Sequence, residues 1–471
     1  MKSEQSSMYK KNRKKKIRFI LSDLSSTQQI ALSFLMVIIF GTLLLMLPVA
    51  TAPGEKTSFL TALFTATTSV CITGLVVVDT FSHWTVFGQI VILFLIQVGG
   101  IGVVCISALF ILFMGKRLSL KTRVLMMEAF NLSSIKGIVG FCRRVIIDIF
   151  IVEAMGAVLT ALVFVPKFGM SKGLFASVFH SVSAFCNAGI DVLGPDSLVS
   201  FSDNYYFLFV TMLLIVLGGL GFAVWFDVLE LIKNFLNKKE KRRRLKLSEH
   251  TLLVLSLTAV LILSGAVLVL LTEYDNAETM RDMTFTGKLW NSVFQSVTFR
   301  TAGFMAVSQK GLRDVTAFIG LLYMFIGGSP MGTAGGVKTV TFFALILYGF
   351  SSLNHHHKPV IFNRAFSFET IHKAVAIIII SFSVTCVLSI LLMITNPEVS
   401  LVDALYETFS ATATVGLSRN LTSSLNSAGK VIIIIAMYLG RIGPISLVMF
   451  FRGRKNREDL LQYAEGKYYI G

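Results

Sequence analysis

Long apolar runs along this chain come in pairs, each pair enclosing a shorter segment rich in threonine and serine. Eight runs, near residues 27–49, 84–114, 141–165, 205–236, 251–272, 315–352, 371–394 and 428–451, are long enough for helices across a membrane, which takes about 20 residues. Strands of a membrane barrel would be only about 10 residues long and would alternate. The enclosed segments read ALFTATTSVCITGL, SVFHSVSAFCNAGI, SVFQSVTFRTAGF and ALYETFSATATVGL. They close on Gly74, Gly189, Gly303 and Gly416, at separations of 115, 114 and 113 residues. Four similar units at a nearly constant period form a pseudo-fourfold array.

The register extends both ways. Phe64, Phe179 and Tyr406 stand ten residues before their glycine, and Phe294 nine before Gly303, so the third unit is one residue short. Each following run carries a glycine pair or its remnant: Gly99-Gly100, Gly218-Gly219, Gly327-Gly328 and Gly440-Arg441. Every unit therefore reads as helix, short re-entrant helix, glycine turn, helix. Roughly 10–12 helical residues cannot cross a ~30 Å hydrocarbon core. The non-helical continuation has to lie in protein or line a wet cavity, because lipid leaves backbone groups unsatisfied. Four such segments around one axis make a narrow pore whose carbonyl oxygens can replace the hydration shell of an alkali cation. The short helices would turn their negative C-terminal ends toward it.

Composition supports a membrane protein: 54% of the 471 residues are hydrophobic and 15% charged, against roughly 25% charged in an average globular domain. The net charge of +17 would suggest nucleic acid on a soluble chain. Here the basic residues cluster in every second connection, around residues 10–18, 116–144, 233–246, 358–373 and 452–457. That is the positive-inside pattern; it places both termini in the cytoplasm and sets nucleic-acid binding aside. Five cysteines (Cys71, Cys105, Cys142, Cys186, Cys386) lie in or beside apolar runs without metal-ligand spacing or a disulfide framework. The first apolar run exceeds the ~7–15 residues of a signal-peptide core, so it reads as a span that is retained.

Thr414-Val415-Gly416 matches the first three residues of the potassium-channel filter motif TVGYG. With four such units in one polypeptide, the chain resembles the Trk/Ktr/HKT superfamily of potassium transporters over residues 27–451. It is most similar to the bacterial KtrB-type membrane subunits, since only one span precedes the first re-entrant segment. The resemblance implies an all-α polytopic membrane protein with four pseudo-symmetric helix–pore helix–helix units around one central pore. The expected boundaries are a basic arm at 1–26, repeats at 27–115, 140–237, 250–353 and 368–452, and a cytoplasmic C-terminus at 453–471. It also implies potassium-binding filter strands Ile72-Thr73-Gly74, Asn187-Ala188-Gly189, Thr301-Ala302-Gly303 and Thr414-Val415-Gly416. All four close on glycine, whereas serine at the first such position goes with sodium permeation in plant relatives.

The sixth run contains Gly327-Gly328-Ser329-Pro330-Met331-Gly332-Thr333-Ala334-Gly335-Gly336-Val337, whose five glycines and one proline cannot remain a regular lipid-facing helix. By resemblance this is an intramembrane gating loop beneath the filter, with Lys338 and Arg441 belonging to the same gate. A mid-membrane arginine needs a wet or paired location. Residues 332–339 nearly spell a phosphate-binding loop, but Val337 stands where that motif needs glycine. Glu153 is an intramembrane acid without an evident partner, and His355-His356-His357 reads as a solvated loop. No nucleophile–base pair or metal cluster stands in the spans, so an enzyme is not expected. The expected function is channel-like potassium uptake at the cell membrane, with an obligatory sodium- or proton-coupled symporter as the alternative. Potassium is the transported ion, with sodium as a candidate activator and no covalent cofactor. The resemblance further implies a homodimer docked on a cytoplasmic ring of nucleotide-binding regulatory subunits, with membrane lipid as the other partner.

Overall fold

The computed structural model describes residues 26–106, 108, 118–129, 136–236, 247–353, 359–362 and 364–443. The basic arm up to residue 25, the basic run at 238–246, His355 to His357 and the C-terminal stretch from residue 444 lie outside the described residues. Repeat 1 holds α1 (Ser26–Leu45), α2 (Phe59–Cys71) and α3 (Val86–Ile101). Repeat 2 holds α4 (Ile138–Phe168), α5 (Met170–Cys186), α6 (Tyr205–Leu220) and α7 (Phe222–Leu236). Repeat 3 holds α8 (Glu249–Glu273), α9 (Phe285–Phe299), α10 (Asp314–Phe325) and α11 (Thr339–Leu353). Repeat 4 holds α12 (Phe368–Thr395), α13 (Leu401–Thr412) and α14 (Ser427–Ile442).

The leading helix of each repeat has 20, 31, 25 and 28 residues, enough at 1.5 Å per residue to cross a hydrocarbon core. Their outward faces carry large exposed apolar side chains, including Phe40 on α1, Val158 on α4, Leu263 on α8 and Ile390 on α12. Such faces on helices of this length belong to lipid.

The short helices α2, α5, α9 and α13 invert that pattern. They run 13, 17, 15 and 12 residues, and their polar side chains are the hidden ones: Thr68, Ser183, Thr298 and Ser410 are fully buried. Ser58, Thr284 and Ser400 start three of them by accepting the N–H of Thr61, Gly287 and Asp403, which satisfies a free helix-end donor. Each packs within its own repeat and against the second helix of the preceding one: α2 against α14, α5 against α3, α9 against α6 and α13 against α10.

The second helix of each repeat departs from expectation. The runs at 84–114, 205–236 and 428–451 read as continuous spans, yet α3 stops before Gly102 (φ 92°), α6 before Gly221 (φ 90°) and α14 before Gly443 (φ 86°). Positive φ is open to glycine at little cost, and at Gly221 the axis turns by 104° into α7. The glycine pairs explain the position. A Cβ on Gly99, Gly218 or Gly440 would lie 2.2, 1.9 or 2.1 Å from the carbonyl oxygen of Val70, Phe185 or Thr412. These three helices thus pass directly against the last turn of the short helix of their own repeat. In repeat 3 the same break is expanded into the stretch from Ile326 to Lys338 between α10 and α11.

Candidate functional site

Past the end of each short helix the backbone turns the same way. Ile72, Asn187, Thr301 and Thr414 have φ of 50°, 58°, 89° and 53°, and two residues on, Gly74, Gly189, Gly303 and Gly416 have φ of 99°, 65°, 81° and 94°. Left-handed φ at a non-glycine residue is uncommon and costly, so finding it at the same step of four repeats marks a built feature. The middle residue of each strand is tied back to its helix. The N–H of Thr73, Ala188, Ala302 and Val415 donates to the carbonyl of Thr68, Ser183, Thr298 and Ser410 at 2.9, 2.8, 3.1 and 2.8 Å.

The four strands close on one another in order. A Cβ on Gly74 would lie 2.6 Å from the Ala188 carbonyl oxygen, on Gly189 2.6 Å from that of Ala302, on Gly303 2.6 Å from that of Val415, and on Gly416 2.1 Å from that of Thr73. Repeat 1 meets 2, 2 meets 3, 3 meets 4, and 4 meets 1. This cycle is a ring around a single axis, and the missing residue of the third unit does not open it. Four further oxygens at the ring, Thr73 Oγ1, Asn187 Oδ1, Thr301 Oγ1 and Thr414 Oγ1, are buried without a hydrogen-bond partner among the described residues. Buried polar atoms are normally paired; Asn187, Thr301 and Thr414 stand at the same step of their strands, and Thr73 stands at the next step of the first strand.

The loop of repeat 3 forms the floor of this ring. It is pinned at its ends by a parallel bridge between Ile326 and Val337 and by the N–H of Gly327 donating to the Val337 carbonyl at 2.9 Å. Toward repeat 2, the N–H groups of Ser329 and Thr333 donate to the carbonyls of Gly219 and Gly218, and Asn187 Nδ2 donates to Thr333 Oγ1 at 2.8 Å. Toward repeat 4, a Cβ on Gly335 would stand 2.0 Å from Thr414 Oγ1. Arg441, at the end of α14, donates to the Thr333 carbonyl at 2.9 Å and to the Gly99 carbonyl of repeat 1 at 2.6 Å. Lys338 Nζ donates to the Ala334 carbonyl at 2.7 Å. Among the described residues neither cation has a carboxylate within ion-pair distance. Loop and arginine together link all four repeats on the side of the ring where the short helices end.

Phe64, Phe179, Phe294 and Tyr406, the aromatic register of the four units, are fully buried around the ring. Sequence reasoning missed what holds the last of them. Tyr406 Oη donates to Gln309 Oε1 at 2.9 Å, and Gln309 exchanges amide bonds with Gln295 at 2.8 and 3.1 Å. Gln295 occupies the position after the aromatic residue, where the other units carry Thr65, His180 and Glu407; that polar column was visible in the aligned segments. Glu153 does have partners: Gln97 Nε2 donates to its Oε2 at 3.0 Å, and Cys186 Sγ lies 3.7 Å from Oε1. It stands behind the residue preceding Asn187 and joins α3, α4 and α5. On the far side of the ring from the loop, Asp191 follows Gly189 by two residues. Burial pushes its carboxyl up to about 6, although the Ser197 hydroxyl and Leu193 N–H that it accepts favour the charged form.

Similarity to known proteins agrees with this geometry. The cation transport protein family TrkH matches residues 4–462. The Ktr system potassium uptake protein B of Bacillus subtilis is 38% identical over 445 residues, covering 94% of this chain and 96% of that protein. The potassium/sodium uptake protein NtpJ of Enterococcus hirae is 36% identical over 462 residues, 97% of this chain and 99% of that protein. The crystal structure of the potassium transporter TrkH from Vibrio parahaemolyticus superposes with a TM-score of 0.70 over 92% of this chain and 86% of that one, at 18% identity, and shares the fold.

Proposed function

The chain belongs to the TrkH family of cation transport proteins, and on that premise we propose that it is the ion-translocating subunit of a Ktr-type potassium uptake system. It is a multi-pass membrane protein and a cation uptake transporter of the Ktr/Trk group. The observation that carries the finer reading is the closed cycle of glycine–carbonyl contacts from Gly74 to Gly416. A potassium ion entering the ring sheds water, and the carbonyl oxygens of Thr73, Ala188, Ala302 and Val415 replace it. The C-terminal ends of α2, α5, α9 and α13 add negative potential that favours a cation over an anion.

The loop from Gly327 to Val337, with Lys338 and Arg441, acts as the gate. Its backbone stands across the exit from the ring, and the positive charges of Lys338 and Arg441 raise the energy of a potassium ion there. Opening requires the loop to shift and Arg441 to leave the Thr333 carbonyl. Control comes from outside the chain, from a cytoplasmic ring of nucleotide-binding subunits docked on a homodimer whose termini face the cytoplasm, with sodium as an activator. The support for a separate regulatory component is the word "system" in the name of the Bacillus relative. The relatives are named as uptake proteins, which fits a role without a chemical reaction.

Reconstituted liposomes test this. The expected result is uptake that follows the potassium gradient alone. A strict need for a sodium or proton gradient would contradict the channel-like mechanism and favour a coupled symporter.

A further inference from the structure

On the filter reading above, we propose that the hydroxyls of Thr68 and Ser410 aim the ring carbonyls of repeats 1 and 4, and that cation discrimination depends on these two anchors more than on their counterparts in repeats 2 and 3. The four short helices carry a hydroxyl at the same step, Thr68, Ser183, Thr298 and Ser410, all fully buried. They do not do the same thing. Thr68 Oγ1 accepts the N–H of Gly74 at 3.0 Å, and Ser410 Oγ accepts the N–H of Gly416 at 3.0 Å. Ser183 Oγ instead donates to the Ile190 carbonyl at 2.6 Å and accepts the Ile190 N–H at 3.1 Å, while Thr298 Oγ1 donates to the Phe304 carbonyl at 2.8 Å.

The difference reaches the axis through the peptide plane. The N–H of Gly74 and the C=O of Thr73 belong to one planar trans peptide and point in opposite directions. A hydroxyl that holds the N–H from behind therefore holds the Thr73 oxygen toward the axis, and Ser410 does the same for the Val415 oxygen. Both oxygens belong to the ring contacts: that of Thr73 faces Gly416 and that of Val415 faces Gly303. In repeats 2 and 3 the hydroxyl ties down the residue after the glycine, so among the described residues no such hydroxyl holds the peptide planes that carry the Ala188 and Ala302 oxygens. A carbonyl that can tilt adapts to a smaller ion, so the anchored pair sets the ring's size.

The test compares the full-length wild type with Thr68→Val, Ser410→Ala, Ser183→Ala and the conservative Thr68→Ser and Ser410→Thr. The potassium-to-sodium permeability ratio is read in liposomes from the potential of zero flux, a quantity independent of the amount of active protein. Removing one hydrogen bond is expected to lower that ratio about fivefold in Thr68→Val and in Ser410→Ala. Ser183→Ala should lower it less, and the two conservative variants should restore it. Because the anchors lie in different repeats, Ser410→Ala decides the matter if Thr68→Val does not fold. Ratios equal to wild type, or a loss no larger than that of Ser183→Ala, would overturn the anchoring proposal and leave the filter standing. A wild type that does not discriminate between the two ions would overturn the filter reading itself, and this proposal with it.

Discussion

Sodium is expected to pass through the Gly74→Ser variant. Gly74 has φ of 99° and sits where a Cβ would be 2.6 Å from the Ala188 carbonyl oxygen. Left-handed backbone at a residue with a side chain costs about 1–3 kcal/mol, and the close contact makes the strand shift as well. Because the four strands touch in a cycle, displacing the first moves the Ala188 oxygen directly and the Thr73 oxygen through its own strand. A change of about 1.4 kcal/mol in the preference between two ions is tenfold, so the potassium-to-sodium permeability ratio should fall at least tenfold, toward equal passage. Flux driven separately by potassium and by sodium gradients in liposomes measures it. An unchanged ratio would count against a ring that selects by its dimensions.

Removing the Arg441 charge should change flux rather than selectivity. A unit charge roughly 8 Å from a cation, at an effective dielectric constant of about 20, opposes it by about 2 kcal/mol. Arg441→Ala is therefore expected to raise potassium flux about thirtyfold at most, with selectivity kept because the ring itself is untouched. Deleting residues 331–335 removes the Thr333 carbonyl that Arg441 holds and the Thr333 hydroxyl that Asn187 holds, so it should also raise flux. A fall in flux at normal expression would show that arginine and loop support the pathway rather than obstruct it.

Much of the fold was legible in the sequence because it is written four times. The period of about 114 residues, the Thr/Ser-rich segments and their closing glycines located the short helices and the strands after them. The glycine-rich stretch of repeat 3 marked its own break. The breaks at Gly102, Gly221 and Gly443 were not foreseen, because a hydropathy profile passes over a single glycine between apolar neighbours. Partnerships across long sequence separations were likewise hidden. Gln97 reaches Glu153 across 56 residues and Tyr406 reaches Gln309 across 97; such pairs exist only once the repeats have closed. The hydroxyl column was visible in the aligned segments, but its split into two bonding patterns depends on fractions of an ångström that residue types do not encode.

The most direct measurement is a crystal structure with rubidium or thallium in place of potassium, read from the anomalous signal of the ion. The expected result is a peak on the axis, at coordinating distance from the carbonyl oxygens of Thr73, Ala188, Ala302 and Val415. A ring empty of the ion, with the signal elsewhere in the protein or nowhere, would contradict it.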